Sequence, residues 1–333
     1  MMRKAIFLLS LVSVIMILMN SCKKDDIFDV EVVPARDRGE EALAAQIDIE
    51  GFLTTHFYNY EEFENPPADF DYIIKFDSLI GDNALKTPLI DQVASKTVRD
   101  RVEKDVTYKL YYLNVRQGSG TTAQFPDVTT ISFEGRLLNN ELFDSSVIPI
   151  RFDLTQIVNG LQDGIRGFKG ANDLITNPDG TVTFENYGIG AVFVPSGLGY
   201  FIDSPTSSIP LYSQLIFAFH LYQVEVGDQD NDGVISILED INENKLEEDD
   251  DTDGNFIPNF VDGDDDGDGR LTKDETELNE YVIDIGDPDP DYMEDEVEMY
   301  RVIDEDIGVI TIYTVILPDE DNDGTPDYLD EDN

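Results

Sequence analysis

The sequence predicts an α+β fold followed by an irregular acidic region, and three observations carry that reading. Residues 106–226 hold several β-type runs separated by glycine and asparagine turns. Residues 40–57 place apolar side chains at helical spacing. Residues 228–333 hold 40 of the 71 acidic residues and 4 of the 22 basic ones, so that the tail carries −36 of a net charge of −49. A length of 333 residues suits about two domains. With 41% hydrophobic residues, 19 Phe and 15 Tyr, the chain can build a real core. Its charge argues against a nucleic-acid partner, because phosphate binding needs a basic surface. The single Cys excludes an internal disulfide framework and any cysteine-rich metal site.

Arg3 and Lys4 precede an apolar run, Ala5–Met19, which is the pattern of a secretory signal. The run is shorter than the roughly 20 residues a membrane-spanning helix needs. The only cysteine, Cys22, follows at once in LMNSC. This resembles the bacterial lipoprotein signal, in which cleavage leaves the cysteine as the lipidated first residue. Ser21 fits that motif; Met19 and Asn20 are less typical of it. The resemblance implies a signal peptide over 1–21, export, and a tether through lipidated Cys22 to the cell envelope, at the outer membrane on its periplasmic or surface face. An uncleaved anchor with a buried thiol is the alternative. Lys23-Lys24-Asp25-Asp26 resembles the charged start of lipoproteins of the Bacteroidetes.

Residues 22–105 read as a linker and spacer. Within them, Glu40–Phe57 sets Ala42, Ala45, Ile49, Phe52 and Leu53 on one helical face, with acids in the first turn. That helix packs on the folded domain or on a second copy. Phe57, Tyr58, Tyr60, Phe63, Phe70, Tyr72 and Phe76 follow, a stretch too apolar for a free linker.

Residues 106–226 carry the chemistry. Val106–Arg116 alternates as a strand, and Gly118–Gly120 breaks it. Ile131–Leu138 is the next strand; Asn139 and Asn140 turn it into ELFDSS, and Val147–Leu154 is a further strand. ISFEGRL followed by FDSS resembles the signature of the FKBP-type peptidyl-prolyl isomerases. Gln156–Gly170 is similar to the short helix of that family, Ala191–Tyr200 to its strand and Pro-x-x-x-x-Tyr turn, and Ile209-Pro210 with Leu215–Val226 to its closing strand. The resemblance spans about 120 residues and implies an antiparallel sheet curled around one short helix, with an apolar proline pocket between them.

Carried over, the family pattern makes Phe143 a pocket wall, Asp144 the carboxylate beside it, Tyr200 a hydroxyl donor to a substrate carbonyl, and Phe217 a further wall. Ile157 and Val158 line the pocket, Val158 offering its N–H, and Ile209 completes it. Three positions depart from the pattern: Leu161 stands for the usual Trp floor, Phe133 for a Tyr, and Ile150 for an aromatic wall. All three keep the pocket apolar, and they bear on rate more than on fold. Phe133, Ile150, Val158, Leu161 and Phe217 also read as plain core, and Asp144 as a turn cap. The stretch between Gly170 and Ala191 departs from the family; Asn177–Gly180 and the TVTF after it predict a protruding β-hairpin. No cofactor is needed for such catalysis. His56 and His220 do not make a site.

The tail repeats a calcium-loop pattern. Asp228–Glu239 and Asp264–Glu275 fit D-x-[DN]-x-[DN]-G-x5-E throughout. This points to Asp228, Asp230, Asp232 and Glu239, and to Asp264, Asp266, Asp268 and Glu275, as oxygen ligands converging on a cation. Two variants follow: Asp249–Phe260, with Asp249, Asp251 and Asp253 but Phe at the twelfth position, and Asp319–Asp330, with Asp319, Asp321, Asp323, Asp327 and Asp330. The repeats also resemble thrombospondin type 3 repeats. Gly227 follows a strand, so the first loop lacks an entering helix, which favours a string of loops stabilised by structural calcium over a calcium switch. A solvated tail without metal is the bland alternative. Val297–Leu317 reads as a hairpin turning at Asp304–Gly308.

The expected function is a lipid-anchored FKBP-like isomerase or foldase acting on X–Pro bonds of exported client proteins. The alternatives are a non-catalytic binding or chaperone module on the same fold, and a calcium-dependent spacer or adhesion element.

Overall fold

The computed structural model describes residues 34–305 and 307–332. The stretch read from the sequence as a signal, Cys22 and the charged residues after it lie outside the described residues. From Asp37 onward the chain makes one compact unit.

Asp37 caps α1 (Arg38–Thr55): its Oδ1 accepts the Glu40 N–H at 2.9 Å, and Glu40 and Glu41 sit in the first turn, against the positive end of the helix dipole. Ala45, Ile49, Phe52 and Leu53 recur at helical spacing and are buried. β1 (His56–Tyr58), the short α2 (Tyr60–Glu64) and β2 (Phe76–Ser78) follow, with β1 and β2 paired. Next come β3 (Ala94–Arg99), β4 (Thr107–Arg116), β5 (Val128–Leu137) and β6 (Leu142–Asp153). After them lie α3 (Asn159–Ile165), the hairpin β7 (Asp173–Thr176) and β8 (Val182–Glu185), β9 (Gly188–Val194) and β10 (Leu215–Glu225).

These strands form a six-stranded antiparallel sheet in the order β3-β4-β9-β10-β5-β6. The α+β class and the 177–180 turn of the inserted hairpin agree with the sequence reading; Gly180 N–H donates to Asn177 O at 2.9 Å. The sheet also takes in Ala94–Arg99, which the sequence reading leaves in the spacer. An edge strand covered on one side has little apolar pattern to betray it, and only Val98 of β3 is buried.

Strand alternation sends two sets of side chains to opposite faces. Leu110, Ile131, Phe133, Val192, Val194, Phe217, Phe219 and Leu221 face one core, closed by Leu161 and Ile165 of α3. Tyr111, Leu113, Ile189, Ala191, Phe193, Ile216 and Ala218 face the other, closed by Ile49, Phe52 and Leu53 of α1. The aromatic stretch docks on that second face, with Tyr58, Phe63, Tyr72 and Phe76 in its cluster. So α1 packs on its own domain. Both histidines serve this docking. His56 stacks on Phe52 at 4.0 Å, and His220 Nε2 bonds Tyr72 O at 2.9 Å.

The tail continues from β10 without an α-helix among its described residues. β11 (Glu277–Asp284), β12 (Glu296–Asp304) and β13 (Val309–Ile316) form a three-stranded sheet in the order β11-β13-β12. The β12–β13 hairpin is the one expected, with Gly308 N–H donating to Asp304 O at 2.9 Å.

Helix α3 can sit close to β9 because it carries Gly160 and Gly164, four residues apart. A Cβ on Gly164 would lie 2.4 Å from Val192 Cγ2, and one on Gly160 2.3 Å from Val194 Cγ1. Gly164→Ala gains helix propensity of about 1 kcal/mol, yet overpacking costs roughly 1–3 kcal/mol. The expected outcome is a net loss of stability, read as a lower urea midpoint; a midpoint at or above that of the parent chain would show that α3 moves off β9 freely.

Candidate functional site

The pocket residues named from the sequence gather on the α3 side of the sheet. Phe133, Leu161, Ile209 and Phe217 are buried in that core, and Phe143, Ile150, Ile157, Val158 and Tyr200 pack against it half-buried. The rings of Phe143 and Phe217 meet edge-to-face at 5.7 Å, and Phe133 lies 6.4 Å from Phe217. Gly135 makes this possible: a Cβ there would lie 2.6 Å from the Phe143 ring. Asp144 stands exposed at the rim within β6, not in a turn, its Oδ1 accepting the Ser145 N–H at 2.8 Å. Burial, and then the Asp144 carboxylate, push the Tyr200 hydroxyl above the usual tyrosine range, which sets the two groups near one another.

Two polar hydrogens in this region point at no described group: the Tyr200 hydroxyl, and the N–H of Val158, which precedes the first turn of α3. FDSS proves to be strand, because β6 pairs with β5 from Leu142 onward. The register slips between Ile131↔Ile150 and Phe133↔Ser146, so Val147, Ile148 and Pro149 bulge outward and are exposed. Phe152, two residues past Ile150, joins the aromatic group at 5.4 Å from Phe133. The sequence reading passed over it, although the alternation Ile150, Phe152 was the signal.

The turn that carries Tyr200 is held from the far end of the domain. Arg38 pairs with Asp100 at 2.6 Å and donates to Gly197 O at 3.2 Å. Tyr108 donates to Asp100 at 2.8 Å, and a Cβ on Gly197 would strike the Tyr108 hydroxyl. Burial works to raise the Asp100 carboxyl; the Glu103 and Val102 N–H groups, Tyr108 and Arg38 outweigh it and hold it below the usual range.

A second candidate centre lies in the tail. Asp228, Asp230 and Asp232 bring oxygens within 4.8 Å of one another, as do Asp264, Asp266 and Asp268, and Asp319, Asp321 and Asp323. Glu239 is buried with neither oxygen hydrogen-bonded; Glu275 is buried without a hydrogen bond too, its Oε1 3.6 Å from Arg270 Nη1, and Asp228, Asp230, Asp232 and Asp266 each keep one buried oxygen without a hydrogen bond. Burial first, then Asp230, Asp232, Asp265 and Asp228, push Glu239 up to about 11. Orphaned buried carboxylates in oxygen-only clusters fit a hard divalent cation.

The hydrogen bonds correct the register of the third loop and add one. In the later loops the first carboxylate accepts the N–H of the sixth residue: Gly269 to Asp264 at 3.3 Å and Gly324 to Asp319 at 3.0 Å. Phe256 donates likewise to Asp251 at 3.1 Å, and Lys245 to Asp240 at 2.9 Å. The third loop therefore runs Asp251–Asp262, and Asp262 rather than Phe260 stands twelfth, joined to Asn255 at 2.7 Å. Asp249 instead accepts from Asn244 at 2.8 Å and pairs with Lys104 at 3.4 Å. The added loop, Asp240–Asp250, has Asn242 and Asn244 at the alternate positions. Lys245 and Phe256 hold φ of 66° and 74° where the other loops have Gly, and a motif demanding Gly overlooks both. Of the back-half acids of the last loop, Asp327 accepts the Glu320 N–H at 2.9 Å and Asp330 the Asp332 N–H at 3.1 Å.

The two candidate centres touch through α3. Arg101 joins Asp163 of α3 at 3.2 Å to Glu248 at 3.1 Å, and Arg166 meets Glu247 at 3.1 Å. Phe260 packs edge-to-face on Phe125 at 5.7 Å and enters the α3-side core.

Comparison with known proteins gives two separate matches. The family model described as BamM C-terminal matches residues 229–285. The "Probable FKBP-type peptidyl-prolyl cis-trans isomerase FkpA" of Neisseria meningitidis is 29% identical over 125 residues, 37% of this chain and 39% of its own length. The "Probable FKBP-type peptidyl-prolyl cis-trans isomerase" of Haemophilus influenzae is 27% identical over 137 residues, 40% of this chain and 50% of its own. The chain thus spans half or less of these relatives, and it is distantly homologous to FKBP-type isomerases over about two-fifths of its length. Among solved structures, FkpA from Escherichia coli aligns with a TM-score of 0.29 at 23% identity, covering 35% of this chain and 48% of that one. A peptidyl-prolyl isomerase from Pseudomonas syringae pathovar tomato aligns with a TM-score of 0.33 at 13% identity, covering 58% and 99%.

If the acidic clusters hold cations, calcium stabilises the folded chain by about 2.7 kcal/mol for each site kept at a hundred times its Kd. The expected outcome is a urea midpoint well above that in chelator, with a change in far-UV circular dichroism on chelation. Equal midpoints and spectra in the two buffers would count against the sites.

Proposed function

We propose that this chain is an exported, lipid-anchored peptidyl-prolyl cis-trans isomerase or foldase that acts on X–Pro bonds of exported proteins. Residues 1–21 are its signal peptide, 22–105 its spacer, and 106–226 its isomerase domain, with β3 added at the sheet edge. Residues 228–333 are a tail stabilised by calcium. One observation carries this reading: a group of aromatic and aliphatic side chains converges beside two unpaired donors, the Tyr200 hydroxyl and the Val158 N–H, within a chain distantly related to FKBP-type isomerases.

The chemistry asks little of acids or bases. Turning an X–Pro bond means crossing a barrier of roughly 18–20 kcal/mol, and amide resonance is lost on the way. Phe143, Phe217, Phe133 and Ile150 grip the proline ring, Leu161 forms the floor, and Ile157 and Ile209 close the sides. Such dry walls favour the twisted amide, whose nitrogen is less conjugated, over the planar one. Val158 N–H and Tyr200 Oη–H hold the substrate carbonyls in register, and Asp144 at the rim sets the field around them. Each tenfold in rate needs about 1.4 kcal/mol.

A second reading, a client-holding module without useful catalysis, draws on the depth of the walls. Leu161 is 2% exposed and Phe217 4%, so much of the floor is already filled by the core.

The test is isomerisation of a short X–Pro peptide by the whole chain in calcium. Acceleration is expected, cut about tenfold or more by Phe143→Ala and by a Tyr200→Phe, Asp144→Ala pair, a loss of about 1.4 kcal/mol in transition-state binding. No acceleration by folded protein would leave the binding module. For the anchor, Cys22→Ala should move the protein from the membrane to the soluble fraction; an unchanged distribution would remove the lipid tether.

A further inference from the structure

We infer that Asp265 completes a second cation site, between two loops of the tail, which shares Asp232 and Glu239 with the first loop's own motif. The inference rests on the calcium reading proposed above and adds to it a residue that the motif does not assign.

Asp265 is the second residue of the Asp264–Glu275 loop. Alternation sends the first, third and fifth side chains toward the loop's own cation and the second away from it. Asp265 nevertheless is 2% exposed. Its Oδ2 accepts the Thr272 hydroxyl at 2.8 Å, and its Oδ1 is buried without a partner. It turns toward the first loop: oxygens of Asp232, Glu239 and Asp265 lie within 4.8 Å of one another. Glu239 is 0% exposed with neither oxygen partnered. Asp232 accepts the Val234 N–H at 2.8 Å on Oδ1 and leaves Oδ2 buried and unpartnered.

Asp232 also belongs to the group it makes with Asp228 and Asp230. Five carboxylates therefore share one region, Asp232, Glu239 and Asp265 buried, and Asp228 and Asp230 half-buried with one oxygen each shut off from water. Among the described residues none of them is paired with Lys or Arg. One divalent cation would leave three negative charges there; two cations would leave one. Burying unpaired charge costs several kcal/mol per ion, so the second occupancy is the favoured one. Oxygen-only ligands, a carboxylate shared between two groups and a flexible loop suit calcium, which takes 6–8 oxygens in adaptable geometry. The site would staple the first loop to the Asp264–Glu275 loop and close the two loops between them into a ring.

The test counts calcium bound per whole chain by equilibrium dialysis with atomic emission. It compares the parent chain with Asp265→Asn, Asp264→Asn and the double variant. Asn at 265 keeps an oxygen for the Thr272 hydroxyl. Asp265→Asn is expected to lose one ion and stay folded in calcium by circular dichroism, and the double variant to lose two. An unchanged count in Asp265→Asn, or a double variant that loses only one ion, overturns the inference and leaves the calcium reading standing. A parent chain that binds no calcium overturns both. Should Asp265→Asn fail to fold, a crystal of the parent chain grown in calcium decides: anomalous peaks on both sides of Asp232 support the second site, and a single peak overturns it.

Discussion

Strand β9 and the first half of β10 lie inside the six-stranded sheet with both faces shut off from water, and the rest of the chain answers that constraint. All seven residues of β9 are buried. A sheet whose two faces are both apolar must be covered twice, at about 25 cal/mol for each Å² of apolar surface removed from water. Helix α3 covers one face, brought close by Gly160 and Gly164. Helix α1 and the aromatic stretch cover the other. The two layers are not independent. Arg38 of α1 reaches Asp100 and Gly197, and so the layer opposite the candidate pocket holds the turn on which Tyr200 stands. A spacer that seems peripheral in the chain is thereby part of the scaffold of the site.

This arrangement was legible where the sequence carries a period. The spacing of Ala45, Ile49, Phe52 and Leu53, the alternation through Val106–Arg116, and the Asn177–Gly180 turn each point to the element that forms. It was not legible where the tertiary partner decides. β3 has one buried residue, and β11 alternates only between exposed and half-covered positions, so neither has a hydrophobic face strong enough to read. FDSS looks like a turn because Asp and Ser are turn formers, yet the adjacent β5 supplies a ladder for it. The bulge at Val147–Pro149 then resets which β6 residues face the core, which brings Phe152 in beside Ile150.

The tail shows why a motif is a weaker guide than the conformation it encodes. What the loop needs at its sixth position is a backbone with positive φ. Glycine provides it without strain, but Lys245 and Phe256 adopt it too, at a cost of order 1–2 kcal/mol each. The first-position carboxylate, bonded to that same residue's N–H, offsets part of the cost locally. A reading keyed to Gly therefore began the third loop at Asp249, where DxDxDG can be matched, although the chain turns two residues later. Asp262 then supplies the twelfth-position carboxylate that the sequence reading found replaced by Phe260, and Phe260 is free to pack on Phe125.

Such a tail has to be held against its own charge, and the domain supplies three cations for this at one place. Arg101, Lys104 and Arg166 meet Glu248, Asp249 and Glu247 across the surface of α3. Two of these pairs are largely withdrawn from water, where an ion pair is a constraint more than a gain: intact it is close to neutral, and with one partner removed it leaves a buried charge. Beyond that patch the ion pairs among the described residues are few for so many acids: Arg270 lies 3.6 Å from Glu275, and Arg301 pairs with Asp289 and Glu298. In the loops carboxylate oxygens gather within 4.8 Å of one another, a crowding of charge that either protonation or a bound cation would relieve. The order of the tail thus has a fixed source in the basic side chains at the α3 junction. Because the junction bears on the helix that carries Leu161 and follows Val158, the ion pairs of Asp163 and Arg166 tie the tail to the element that forms the floor of the candidate pocket.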